Sequence, residues 1–464
     1  MKSTWMKRGA GILLPVSSLP SKYGIGTFGK AARKWVDFLA AAQQRYWQVL
    51  PLGPTSFGNS PYQSYSAFAG EPLYIDLDLL EEQGLLPPKS VKKGGWGESA
   101  SRVDYDRVRG RREPLLRAAY ANMADKKPVE RFRKKNAAWV EDYALFMAIK
   151  AKWEEGLRLR EPAALKAWRE ELAGDIAYHV FTQYLFFQQW KDLKKYANKK
   201  GVQLIGDAPI YVSPDSADVW AQPGLFQLDE NNLPTEVAGC PPDAFSDDGQ
   251  LWGNPLYRWD VMEEDGFAWW VRRIQANLAM FDVLRIDHFR GFESYYAIPY
   301  GDTTARNGRW KKGPGVKFIR AVNQAVEGAA IIAEDLGVIT PAVRRLLKSS
   351  GYPGMKVLQF AFSPGWFVAA SPAEQKLALD YLGMKDGEDI AWGFARAALT
   401  SVADLAIVPF QDYLDLGSEA RMNIPSTVGN HNWSWRMQKG MATKKLAKKI
   451  ARLTVITGRA RKEG

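Results

Sequence analysis

VLRIDHFRG, residues 283–291, starts as an apolar strand-like run and ends in charge, on Arg285, Asp287, His288 and Arg290. IIAEDLG, residues 331–337, repeats the layout: an apolar triplet, then Glu334-Asp335, then glycine after one leucine. Short apolar runs that close on polar residues are what strands buried on both faces of a parallel sheet look like. Similar runs lie at Gly11–Val16, Trp47–Pro51, Gln203–Gly206, Lys356–Phe360 and Ala406–Pro409. With Val283–Asp287 and Ile331–Asp335 they make seven expected strands. Helical periodicity separates many of them, as in Lys30–Gln44 and Val316–Val326. Strand–helix alternation on this scale reads as an α/β fold, and seven units point to a (β/α)8 barrel rather than a short open sheet.

Polar residues gather directly after these runs, at Ser17-Ser18, Gly53–Tyr62, Asp207, Asp287-His288, Glu334-Asp335 and Gln411-Asp412. A barrel builds its active site at the C-terminal ends of its strands, so the clustering marks one rim. Between the second and third expected strands, roughly 78–196 is charged, Ala-rich and helical in pattern. It is too long for a crossover helix and reads as a helical subdomain inserted into a single catalytic barrel domain spanning 1–464.

Composition narrows the class of protein. The chain has 464 residues, 46% hydrophobic and 25% charged, and no apolar run of the roughly 18 residues a membrane span needs. Lys2, Lys7 and Arg8 precede Gly11–Val16 in the manner of a signal peptide. That run is short, holds Pro15 and lacks a small-residue cleavage site, so a buried strand is expected instead. One cysteine, Cys240, allows no internal disulfide framework. A cytoplasmic location is the expectation. The net charge is +12, yet the basic residues are scattered apart from Lys444–Lys462, where they alternate with Leu, Ile and Val at helical spacing. An amphipathic terminal helix accounts for that stretch, and neither nucleic acid nor a membrane is expected as a partner. The 58 aromatic residues (18 Trp, 19 Tyr, 21 Phe) permit stacking on sugar rings as well as core packing. His179, His288 and His431 are dispersed, no P-loop or dinucleotide fingerprint is present, and no metal or cofactor is expected.

Residues i and i+2 of a strand share a face, so Arg285 and Asp287 point the same way and the guanidinium favours an ionised Asp287. Glu334 ends the next expected strand 47 residues later. Adjacent barrel strands would bring the two carboxyls together. A pair about 5–5.5 Å apart is the retaining-glycosidase arrangement: one attacks the anomeric carbon, the other protonates the leaving oxygen and then activates the acceptor. Asp335 is the neighbouring acid, but strand alternation turns it elsewhere. Loop segments Asn59–Tyr65, Gly206–Val212, Gly239–Phe245 and Gly249–Pro255 each read as turn chemistry alone. Their shared place at the rim makes them candidates for sugar contacts.

Taken together, SPYQSYSAFAG (60–70), GDAPIYV (206–212), GQLWGNPLY (249–257), RIDHFRG (285–291) and AEDLG (333–337) resemble the 4-α-glucanotransferases, or amylomaltases, of glycoside hydrolase family 77. The resemblance runs from Gly11 to Arg436. It implies transfer of α-1,4-glucan segments between maltooligosaccharides through a covalent glycosyl-enzyme. Starch- or glycogen-derived glucans are the implied donors, and glucose is among the acceptors. It implies Asp287 as nucleophile, Glu334 as acid/base and Arg285 beside them. Substrate contacts are implied at Ser60, Tyr62, Asp207, Asp243, Gln250, Trp252, Asn254, His288 and Asn432. The chain departs from the family at one point. Family members carry a third catalytic carboxylate in a Thr-His-Asp-Asn-Asp-Thr motif after the seventh barrel strand. This chain runs from Leu358–Phe362 through Ser363-Pro364 straight to Gly365–Phe367. The expectation is a barrel open beside its sixth strand and a much weakened enzyme. The alternatives are a catalytically impaired glucan-binding relative and an α-glucan hydrolase.

Overall fold

The structure is a computed structural model that describes residues 6–91, 95–150, 159–243, 246–358, 370–385, 389–424 and 427–461. Ten strands are seen there: β1 (Gly9–Leu13), β2 (Tyr46–Gln48), β3 (Gln203–Ala208), β4 (Glu236–Cys240), β5 (Gln250–Pro255), β6 (Val283–Ile286), β7 (Ser294–Pro299), β8 (Arg309–Lys312), β9 (Ile331–Ala333) and β10 (Leu405–Pro409). Six of them form one parallel sheet in the order β10-β1-β2-β3-β6-β9. Chain order equals spatial order from β1 onward, and the last strand returns beside the first. That is the winding of a (β/α)8 barrel, not of a doubly wound open sheet.

The strands are apolar because both faces are covered. β1 is buried along its first four residues and β3 along its last five. The helix Lys30–Ala41 shows the outer layer's logic. Trp35, Phe38 and Leu39 turn inward at helical spacing, while Lys30, Arg33, Lys34 and Asp37 stay partly or fully exposed. The chain is helical between β2 and β3 at Leu77–Glu82, Tyr105–Asn122, Lys127–Lys135, Ala137–Ile149, Pro162–Glu171 and Ala173–Lys199. The basic C-terminal stretch is a helix, Lys444–Ile456, which buries Ala447, Ile450 and Thr454. No helix among the described residues is long and apolar enough to cross a membrane.

Two expectations are corrected. The sixth expected strand, Lys356–Phe360, is not a strand over 356–358; residues 359–360, and the passage 361–367, lie outside the described residues. A strand exists only where a neighbour accepts its hydrogen bonds, a condition that local apolarity does not report. Among the described residues β9 pairs only with β6 and β10 only with β1. Second, GQLWGNP is not loop material. It forms β5 of a four-stranded antiparallel sheet, β5-β4-β7-β8, that stands beside the barrel rim.

The seam between β10 and β1 is locked by Arg459. The residue is fully buried and donates to the carbonyls of Leu399, Ser401, Ala403, Asp404 and Gly9. These are the C-terminal end of the helix Ile390–Thr400, the entry to β10 and the start of β1. Removing the guanidinium strands the buried Leu399 and Gly9 carbonyls at once, each costing ~1–3 kcal/mol, and loses three half-buried bonds as well. Arg459→Ala is therefore expected to lose more than ~3 kcal/mol in urea unfolding, with Arg459→Lys between the two.

Candidate active site

β6 delivers Arg285 and, just past its end, Asp287. Their shared face brings Arg285 Nη2 to 2.8 Å from Asp287 Oδ1. The β3–β6 register sets Asp207 opposite Arg285, and Nη1 lies 2.6 Å from Asp207 Oδ1. One planar guanidinium thus spans two carboxylates with its forked donors. Burial works against its charge, but Asp207 and Asp287 prevail and hold it more firmly protonated than an ordinary arginine. Burial pushes the Asp207 carboxyl up to about 6; Arg285 pulls it back and Asp287 adds to the rise. The Tyr62 hydroxyl donates to Asp207 Oδ2 at 2.9 Å, and burial, then Asp207, keep that phenol protonated far above its usual range. The Asp287 side chain is 29% exposed and that of Asp207 only 1%, so Asp287 is the carboxylate of this trio open to a substrate.

Glu334 follows β9 and is set by backbone. His288 adopts left-handed geometry (φ 51°, ψ 44°), which is uncommon outside glycine and carries strain of ~1–3 kcal/mol. That turn aims the His288 amide at Glu334 Oε2, 2.7 Å away, while the Leu336 amide donates to Oε1 at 2.7 Å. The two loops are also stitched by Phe289 N to Glu334 O and by Glu334 N to Ile286 O, both 3.0 Å. Burial raises the Glu334 pKa and the charge of Asp287 raises it further; Arg285 and the two amides pull it back. Asp335 turns away, as alternation predicted, and accepts from Met355 N at 2.7 Å.

The antiparallel sheet brings the aromatic wall. Trp252 of β5 meets the His288 ring edge-on at 5.0 Å between centroids, and its indole N–H donates to Gln250 Oε1 at 3.0 Å. Burial pushes the His288 imidazole down to about 4, so it is neutral near pH 7. Asn254 is buried and donates to Val212 O at 2.7 Å, tying β5 to the loop that follows Asp207. Ser60 Oγ accepts from Tyr62 N at 3.3 Å. Asp207 has both oxygens engaged, by Arg285 and Tyr62, so its contribution here is to hold those side chains. Asn432 is likewise occupied: it accepts from Ile424 N at 2.8 Å and donates to Thr427 O at 2.9 Å, pinning the chain on either side of 425–426. Asp243 is exposed and accepts from Ser246 N at 3.0 Å.

Three further contributors were not singled out from the sequence, although Gln63 lies in the candidate segment Asn59–Tyr65. Gln63 donates to Trp252 O at 3.3 Å and to Asn254 Oδ1 at 3.2 Å. Trp433 packs its ring 5.6 Å from that of Tyr62. Met355 places its sulfur 3.4 Å from Arg285 Nε. The signal for the first two was their place inside SPYQSYSAFAG (60–70) and in Asn432-Trp433-Ser434-Trp435-Arg436, where the resemblance ends. Met355 gave none. Chemically, the rim presents a partly open carboxylate facing a guanidinium and a second, buried carboxyl biased toward its protonated form. A buried carboxyl with a raised pKa near a more open carboxylate is the usual basis of acid/base division in glycoside chemistry.

Comparison with known proteins identifies the family. The family model described as 4-alpha-glucanotransferase, glycoside hydrolase family 77, matches residues 14–365 and 363–443; the two stretches meet where the sequence departs from the family. The Clostridium butyricum 4-alpha-glucanotransferase is 44% identical over 484 aligned residues, covering 96% of this chain and 99% of that protein. The Thermus thermophilus 4-alpha-glucanotransferase is 45% identical over 484, covering 94% and 96%. Alignments longer than the 464-residue chain require gaps in it. The solved structure of amylomaltase from Streptococcus agalactiae in complex with acarbose superposes with a TM-score of 0.94 at 39% identity, over 98% of this chain and all of that one. With its barrel winding, its rim of paired acids and a family match across almost its whole length, the chain belongs to the 4-alpha-glucanotransferases of glycoside hydrolase family 77.

Proposed function

We propose that this enzyme moves α-1,4-glucan segments between maltooligosaccharides with Asp287 as nucleophile and Glu334 as acid/base. Glucose is an acceptor, and starch- or glycogen-derived chains are donors. The observation that carries the assignment is the unequal pair: Asp287 partly open and facing Arg285, Glu334 buried and raised. Glu334 gives its proton to the departing 4-oxygen while the Asp287 carboxylate bonds to C1. The glycosyl-enzyme then yields to an acceptor 4-hydroxyl, whose proton Glu334 takes back. Trp252, Tyr62 and Trp433 supply faces against which sugar rings pack, and Ser60, Gln250 and His288 offer polar groups at the same rim. An acarbose complex of the Streptococcus agalactiae relative supports an oligosaccharide as occupant.

The missing Thr-His-Asp-Asn-Asp-Thr stretch favours a second reading, a glucan binder with residual chemistry. Incubation with maltotriose separates the readings. Transfer gives a ladder from glucose to maltotetraose and beyond with reducing ends conserved; hydrolysis raises reducing ends; binding alone gives neither. A ladder is expected. Its rate should need Asp287 charged and Glu334 protonated, so the alkaline limb of kcat/KM should lie above the ordinary carboxylate range, because burial and Asp287 raise Glu334. Accumulated reducing ends without longer products would refute transfer.

A further inference from the structure

Arg290, two residues beyond His288, lies outside the groups so far given a role. It is 3% exposed and its Nη1 donates to Val338 O at 2.7 Å. Nη2 donates to Ser294 Oγ at 2.8 Å, and that hydroxyl passes its own proton toward Glu293 Oε2 at 2.6 Å. The guanidinium carbon lies 3.8 Å from the centre of the Trp310 ring of β8. An indole face over a desolvated guanidinium stabilises the cation and keeps water off its bonds. Buried charge is tolerated where geometry fixes it, and here it is fixed by a carbonyl, a hydroxyl relayed to a carboxylate, and a ring.

Val338 closes the turn that starts at Glu334. The Leu336 amide in that turn is one of the two donors on the Glu334 carboxylate. Gly337 makes the turn with φ +81°, which a side chain would resist. Val338 is 54% exposed. Among the described residues the Arg290 bond is the hydrogen bond that reaches Val338. We infer that Arg290 is a positioning residue for the acid/base: it ties the turn after β9 to the loop after β6, and thereby fixes the Leu336 amide that aims Glu334.

The inference rests on Glu334 being the acid/base, and the experiment separates the two. A glycosyl fluoride such as α-maltosyl fluoride releases fluoride as the Asp287 carboxylate bonds to C1, with no proton required from Glu334. Maltotriose needs that proton, and both donors need Glu334 as base in the second step. With Arg290→Met, kcat for maltotriose is expected to fall ~10²-fold, the scale of a misplaced catalytic group. KM should stay within about threefold, and the fluoride burst should persist while glycosyl-enzyme accumulates in the mass spectrum. Trp310→Leu, at a residue already 41% exposed on an edge strand, should move the same ratio in the same direction by less. Equal loss of burst and turnover in both variants, or no loss, overturns the inference. Amide exchange adds a readout free of catalysis: peptide 334–340 should exchange faster in Arg290→Met while β1–β3 do not change. A wild-type enzyme with neither burst nor ladder would defeat the functional reading instead. Unchanged exchange at 334–340 would still overturn the role of Arg290.

Discussion

Asp287→Asn is expected to abolish the glycosyl-enzyme and cut transfer ~10⁴-fold or more, the scale seen when a covalent nucleophile is lost. The geometry gives this single change two consequences. The carboxylate that faces Arg285 at 2.8 Å disappears, leaving the guanidinium paired with Asp207 alone. Glu334 also loses a charge that holds its pKa up, so the alkaline limb of any residual activity should move to lower pH. Asp287→Ala adds a chemical test. The side chain it removes leaves room at the β face of C1, where azide can attack α-maltosyl fluoride. C–N bond formation with loss of fluoride gives a β-glycosyl azide. Undiminished covalent labelling of Asp287→Asn by the fluoride would remove Asp287 from the mechanism. An α-configured azide product would point to a different nucleophile still in place. Asp207 is the control. Asp207→Asn should lower kcat through a loosened Arg285 and yet leave the intermediate detectable, because its carboxylate is buried and works through its neighbours.

How legible this site was depended on the distance along the chain over which each contact is made. The Arg285–Asp287 pair was readable because i and i+2 on a strand share a face whatever the fold does. The same guanidinium's bond to Asp207 was not, since it depends on the β3–β6 register across 78 residues. The six observed parallel strands announced themselves as apolar runs, because burial on both faces leaves that pattern. β5 did not: Gln250–Pro255 lies half-exposed at the end of a small sheet, with glycine and proline in it, and looks like a turn. Over residues 356–358 the sixth run misled in the opposite direction, for an apolar run is needed for a buried strand but does not supply its partner. Asn432 and Asp207, both implied as substrate contacts, are each saturated by protein groups, and saturation cannot be seen in a sequence. The helical content of 78–196 was legible from periodicity; its standing as an inserted subdomain remains a proposal, to be tested by excision.

The largest gain in activity is expected from an insertion rather than a substitution. In this chain the parallel sheet stops at β9 on one side and β10 on the other among the described residues, and the family match breaks at 363–365. By resemblance, the stretch that relatives carry there supplies a seventh strand and a third carboxylate that grips the distorted sugar. Interactions that strengthen on the distorted ring contribute several kcal/mol to glycoside cleavage, and each 1.36 kcal/mol is a factor of ten in rate. Placing a relative's stretch between Phe362 and Gly365 should therefore raise kcat for maltotriose disproportionation by ~10²–10⁴. It should also steepen the urea dependence of unfolding, since a closed barrel buries surface that an open one exposes. The two effects are separable. The same insertion with its carboxylate changed to the amide should keep the steeper unfolding and lose the gain in rate. If the enzyme without the insertion already turns over as fast as the enzyme with it, the third acid is dispensable here. The Asp287–Glu334 pair, oriented by Arg285 and Arg290, would then carry the full reaction.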